Sequence, residues 1–341
     1  MVYLSTFISG KRTLKWLIVI GMIWLYVEPA PAQDPSFSQF YANPLYLNPA
    51  LAGTGECSRV MVNFRQQWPA LSGGFKTYAV SADSYIRSLS GGLGVMAYAD
   101  DAAGLVNSLK LSGIYAYHLR MSSSVSLNAG FEASWFQQRL NWDQFVFSDM
   151  INYNDGTINP GGSAEIPPDN LTVSTVDFSG GLLLGIREKY YLGFATHHLH
   201  QPVLEHYLNG SNPLYMKFTL HAGAMLTITE GNRRDQKGKL ILSPNVLYQQ
   251  QHEARQVNLG LNAEFFPLVA GVWYRHNIEN PDGIIFLVGI VHKSFKFAYA
   301  YDVTLSGLRG NSGGGHELSM ALLFNCDVKR KRPGAIKCPE F

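Results

Sequence analysis

Residues 124–136 read SVSLNAGFEASWF, and their alternation decides the architecture. Val125, Leu127, Ala129, Phe131, Ala133 and Trp135 fall on one face of an extended chain, and Ser126, Asn128, Gly130, Glu132 and Ser134 fall on the other. Successive strand side chains point to opposite faces, so this is a strand with one apolar and one polar side. The period recurs at 256–266, 295–304 and 316–327, where Leu259, Phe297 and Leu322 belong to the apolar faces. Extending the search predicts about fourteen strands, near 59–68, 76–87, 91–100, 107–119, 124–136, 175–187, 189–199, 216–229, 239–251, 256–266, 268–277, 283–292, 295–304 and 316–327. Most are about twice as long as the mean strand of a soluble sheet and match what a tilted strand needs to cross a membrane. The expectation is an all-β fold, a transmembrane antiparallel β-barrel of about 14 strands in the bacterial outer membrane.

Loop lengths agree with that architecture. If the chain starts in the periplasm, odd-numbered connections are extracellular and long. The longest gaps, 137–174, 200–215 and 305–315, are the fifth, seventh and thirteenth, while the even connections are short except 230–238. Aromatic residues at strand ends, among them Trp68, Tyr98, Trp135 and Tyr274, suit an interfacial girdle.

Composition removes the competing classes. Of 341 residues, 15% are charged and 46% hydrophobic, which excludes a disordered chain, a coiled coil and a polytopic helical membrane protein. A net charge of +2 offers no broad basic surface, so no nucleic acid partner is expected. Lys11, Arg12 and Lys15 precede the apolar stretch Trp16 to Val27, and Ala30-Pro31-Ala32 follows. That order predicts a signal peptide over 1–32, cleaved before Gln33, and Sec export. The remaining organisation reads as an N-terminal segment over 33–58, a barrel over 59–327 and a basic periplasmic tail over 328–341. The first of these contains Asn43-Pro44 and Asn48-Pro49, which break regular structure. It is either a plug inside the barrel or a periplasmic docking strip, and its aromatics Phe37, Phe40, Tyr41 and Tyr46 are the partner-docking candidates.

Chemistry-bearing constellations are sparse, and neither catalytic residues nor a metal or cofactor site is assigned. His197, His198 and His200, with Glu205 and His206 beyond, suggest solvated loop-end histidines, since adjacent strand residues cannot share a ligand sphere. Ser112 and His118 are about 20 Å apart along one strand, outside hydrogen-bond reach. The GGLG run at 91–94 is a strand of small residues that makes room for a bulky neighbour. On the polar faces, Arg65 and Asp83 share the lumen-facing parity and are expected to pair across strands. Glu132, Arg275, Asp302 and Glu317 complete the expected lumenal polar network.

Three cysteines reach an oxidising compartment, where a pair is expected to bond. Cys57 and Cys326 both lie at the periplasmic rim of neighbouring strands. Parity nonetheless separates them, because Cys57 continues the inward face of Met61, Asn63 and Arg65, and Cys326 the outward face of Leu322 and Phe324. The tail is free to fold back, so the expected bridge is Cys57–Cys338, with Cys326–Cys338 as the alternative.

Several motifs in order carry a family resemblance. The run QDPSFSQFYANPLYLNPALAGT (33–54), then NFRQQWPAL (63–71), SADSYI (81–86), GGLGVMAYADDAAG (91–104) and YAYHL (115–119), resembles the PorP/SprF family of type IX secretion system outer-membrane proteins of Bacteroidetes. YDVTLSGL (301–308) and GHELSMALLF (315–324) extend the likeness to the end of the barrel. The resemblance implies a non-enzymatic secretion component that supports export or surface attachment of a partner adhesin, in some relatives connected with gliding motility. Implied partners are a secreted surface adhesin or other type IX cargo, periplasmic or outer-membrane machinery proteins, and outer-membrane lipid. A diffusion channel or apolar-solute transporter is the alternative on the same fold.

Overall fold

The computed structural model describes residues 33–159, 162–206, 213–231, 238–278, 281–292, 294–307, 310–324, 326 and 336. The expected leader, Cys338 and all of the 328–341 tail except Ile336 lie outside them.

The strands are β1 (Ser58–Gln67), β2 (Phe75–Ile86), β3 (Gly91–Ala102), β4 (Val106–Arg120), β5 (Val125–Leu140), β6 (Thr172–Ile186), β7 (Tyr190–His197), β8 (Lys217–Ala224), β9 (Leu226–Thr229), β10 (Leu240–Gln251), β11 (Ala254–Phe265), β12 (Leu268–Asn277), β13 (Pro281–Val291), β14 (Phe295–Thr304) and β15 (Gly315–Phe324). Consecutive crossings pair antiparallel in one sheet. β8 and β9 are halves of a single crossing interrupted at Met225, and both pair with β10. The wall therefore has fourteen crossings. It closes where β1 meets β15, from Ser58 opposite Phe324 to Gln67 opposite Gly315. Closure leaves no exposed sheet edge in the hydrocarbon, which is the condition for a β-structure to span a membrane.

Each expected strand has its counterpart, and parity holds. In β5, Ser126, Asn128, Glu132 and Ser134 are buried, while Phe131 and Trp135 are exposed on the outer wall. Tyr98 departs from the girdle reading. It has the inward parity of Met96 and is buried among lumenal rings. The connections 68–74, 141–171, 198–216 and 305–314 leave one end of the wall, which the general rule for such barrels makes the extracellular one.

The lumen is occupied by the chain itself. Asp34 sits at the extracellular end beside Gln251 at the end of β10, and the segment then descends until Gly53 meets Asp83 near the periplasmic end of β2. Its two Asn-Pro pairs set its shape. Each places proline at the first position of a helical turn, α1 (Pro44–Leu47) and the 3-10 turn Pro49–Leu51, where the missing N–H has no partner to lose. Asn48 caps the second turn by accepting a 2.9 Å hydrogen bond from the Ala50 amide. Phe40, Tyr41, Leu47 and Leu51 then pack with lumen-facing Leu183, Tyr191, Leu247 and Trp273 in one core.

The wall glycines explain how closely the segment approaches. A Cβ on Gly92 would collide with the Ala52 carbonyl, and one on Gly130 with the Ala50 backbone. Within the GGLG run, Gly92 and Gly94 make room for the lumenal segment, while Gly91 faces the Ala116 backbone and the Tyr115 ring on the neighbouring strand.

The disulfide differs from expectation. Cys57 bonds Cys326, with 4.3 Å between their Cα atoms. The last ladder pair is Ser58 with Phe324, so both cysteines lie beyond the strand ends, where the pleat no longer dictates side-chain direction. Parity does not apply beyond the ladder, and both the expected Cys57–Cys338 bridge and its Cys326–Cys338 alternative are overturned.

Candidate functional site in the filled lumen

Three groups of charged and polar side chains on the inner wall grip the lumenal segment. At the extracellular end of β1, β14 and β15, Arg65 lies 3.1 Å from Asp302 and 3.3 Å from Glu317. Arg275 lies 2.7 Å from Asp302 and also pairs with Asp282. Glu317 accepts hydrogen bonds from the Ser38 amide at 2.6 Å and the Gln39 amide at 3.1 Å, and the Ser38 hydroxyl donates to Asp302 at 3.1 Å. Arg65 also donates to the Ser38 hydroxyl. Buried charges are costly unless paired and hydrogen-bonded, and here the segment supplies part of the pairing.

A second group spans β4 to β8. Lys110 lies 2.9 Å from Glu132, which also accepts from Ser112 at 2.6 Å. Asp177 meets His198 Nδ1 at 2.8 Å, and Asp34 of the segment meets His198 Nε2 at 2.9 Å. Lys217 approaches Asp34 at 3.6 Å, and Gln251 accepts from the Asp34 amide at 2.9 Å. Burial opposes the His198 imidazolium, but the Asp34 and Asp177 carboxylates outweigh it and hold the group up at about 9. Burial likewise opposes the Asp34 carboxylate, yet His198 and Lys217 bring it well below the usual carboxylate range.

The third group is periplasmic. Arg59 lies 2.6 Å from Asp83, and Asp83 accepts from the Gly53 amide at 2.7 Å.

Of the residues expected from sequence, Arg65, Arg275, Asp302 and Glu317 are brought together, whereas Glu132 belongs to the second group and Asp83 to the third. The expected Arg65–Asp83 pair does not form. The β1–β2 register sets Asp83 opposite Arg59 and Arg65 opposite Thr77, so the two share a face at different heights. Phe37, Phe40 and Tyr41 are buried in the lumen and Tyr46 packs among the same rings. Their cover is the protein's own wall, which removes them as docking residues on an accessible surface.

His197 and His198 are buried as well, not solvated. His198 adopts a left-handed backbone, φ 57°, which breaks the strand alternation and turns both rings inward. Sequence reasoning missed Asp34, Lys110, Asp177, Lys217 and Arg59. Lys110 and Asp177 were detectable as charges on inward faces of otherwise small polar residues, but nothing marks Asp34 as their partner before the segment is placed.

Two further arrangements bear on chemistry. Ser112 is engaged by Glu132, and His118 meets the Ala52 carbonyl at 2.9 Å, so they are not a nucleophile and base. Among the described residues, no group of three or more His, Cys, Asp or Glu side chains is arranged to hold a metal ion. What the lumenal groups do is hold a polypeptide in place.

Comparison with solved structures shows the same fold. The toluene transporter TbuX of Ralstonia pickettii matches over 87% of this chain and 96% of its own, with a TM-score of 0.50 and 12% identity. The monoaromatic hydrocarbon channel CymD matches over 83% and 93%, at 0.44 and 14%, and the outer membrane protein Omp33 of Acinetobacter baumannii over 79% and 100%, at 0.43 and 7%. No functionally curated protein matches the sequence. The family model described as type IX secretion system membrane protein PorP/SprF matches residues 30–322. The chain, a β-barrel of the outer membrane, belongs to the PorP/SprF family of type IX secretion system membrane proteins.

Proposed function

We propose that this protein is a non-enzymatic partner-holding component of type IX secretion, supporting export or surface attachment of one secreted adhesin. The observation that carries the proposal beyond the family is the filled lumen. Residues 34–53 run from one mouth to the other and are gripped by all three polar groups. A barrel built this way offers its rims and loops to partners rather than its bore to solutes. The diffusion-channel reading requires the segment to leave, with loss of the Phe40, Leu47 and Leu51 burial at about 1.5–3 kcal/mol for each fully buried side chain. On this reading, residues 33–58 are the plug.

The test is deletion of the gene followed by surface proteomics of intact cells. The expected result is loss of one surface adhesin, with the other secreted type IX cargo unchanged. Surface display of every adhesin in the deletion strain would overturn the proposal. Steady ohmic conductance of the purified wild-type protein in planar bilayers would favour the channel.

A further inference from the structure

The connection between β5 and β6 is held in shape yet left uncovered. At its base the Asn141 side chain donates to the Gly104 carbonyl at 2.7 Å, and on the far side the Asn170 amide donates to the His206 carbonyl at 2.9 Å. Within it, Ile151 and Ile158 form an isolated bridge. Asp149 accepts from the Ser163 hydroxyl at 3.0 Å and the Ala164 amide at 2.6 Å, which ties the two limbs together. Trp142 packs on Phe147, with ring centroids 4.9 Å apart. Despite this internal order, Tyr153 is 80% exposed and Ile166 78%, with Val146 and Ile158 about half exposed. Apolar side chains on a pre-ordered extracellular loop are what an interface anchor looks like before its partner arrives.

Charge identifies the partner. From residue 140 to 186 the sequence contains no Lys, Arg or His, while Asp143, Asp149, Asp155, Glu165 and Asp169 all lie in the loop. A second copy meeting the same face would set carboxylates against carboxylates, and anionic lipid headgroups are repelled for the same reason. The last strand, β15, ends at Phe324 on the opposite rim from this loop, and the chain's basic run 329–332 comes only after it in sequence.

We propose that this loop is the docking face for another polypeptide, one that presents a basic surface around an apolar pocket taking Tyr153 and Ile166. Applied to type IX cargo, the inference rests on the function proposed above, and it assigns the attached adhesin to this face.

The test uses full-length protein in its own outer membrane. One variant combines Tyr153→Ser with Ile166→Ser, the other Asp143→Lys with Glu165→Lys. All four side chains are exposed, and antibody labelling of intact cells confirms that each variant is displayed at wild-type abundance. The expected result is about a tenfold or greater fall in the surface-retained adhesin for each variant. Wild-type retention in both, where gene deletion abolishes it, overturns the loop assignment and leaves the proposed function standing. If deletion itself changes no adhesin, the function fails, and p-benzoylphenylalanine in place of Tyr153 then tests the loop alone. A cross-link to an extracellular basic protein that disappears with the charge variant supports the loop assignment; absence of any cross-link, or one indifferent to charge, overturns it.

Discussion

Replacing Glu317 by Gln isolates the grip of the wall on the lumenal segment. The carboxylate accepts from the Ser38 and Gln39 amides and pairs with Arg65. Hydrogen bonds to a charged group contribute about 1.5–3 kcal/mol each. Glutamine keeps one carbonyl acceptor, and Asp302 continues to neutralise Arg65. The net loss is then about one charge-assisted bond and part of an ion pair, roughly 3 kcal/mol. At 1.4 kcal/mol per factor of ten, that shifts the balance between seated and released segment by about 100-fold. Hydrogen exchange read by mass spectrometry, on protein in lipid nanodiscs, measures it directly. The amides of residues 36–42 are expected to exchange about 100-fold faster in Glu317→Gln, with protection of β1, β14 and β15 unchanged. Protection of 36–42 within threefold of wild type, on the order of 0.7 kcal/mol, would refute the claim that Glu317 holds the segment. Equal loss across the wall strands would show that the variant weakens the barrel instead.

Three other outcomes are expected. His198 is held above the ordinary histidine value, so its stabilisation is fully present below about pH 6.5 and is lost as pH rises through about 9; proteolytic access to residues 34–37 is expected to rise between pH 8 and 10, and His198→Ala is expected to show that access already at pH 7. Phe131→Arg places a charge on the lipid-facing wall and is expected to cost about 2–4 kcal/mol at mid-depth in reversible unfolding from bilayers. Peptide mapping without reduction is expected to recover Cys57 linked to Cys326, and joint replacement of both cysteines by Ser is expected to lower the unfolding free energy by about 2–5 kcal/mol.

How far the sequence carries depends on the kind of information a residue holds. Parity is local, so Leu127 against Asn128 and Phe297 against Ala298 are legible as outside and inside without any partner strand. Height is not local. Arg65 and Asp83 share a face, but which residue stands opposite is fixed by the β1–β2 turn, where Gln67 meets Phe75. Parity also ends with the ladder, which is why Cys57 and Cys326, of opposite parity in the sequence, are joined in the protein. The lumenal groups were the least legible, since Asp34 is distant in sequence from Asp177 and His198, and only the path of the segment through the bore brings them together. The Asn-Pro pairs announced that this path is irregular without saying where it goes.

The bond between Cys57 and Cys326 has a consequence for the order of assembly. With a sequence separation of 269 residues, it turns almost the whole wall into a covalent hoop, and the chain preceding that hoop occupies its inside. Before the hoop is sealed, the leading end can be laid against β5 and β6 while the sheet is still open and then be enclosed as the sheet curls. After sealing, the same end would have to be fed lengthwise past glycines that admit no side chain between wall and segment. Oxidation thus fixes the route: a leading end still outside when the bond forms can enter only lengthwise, through a mouth of the barrel.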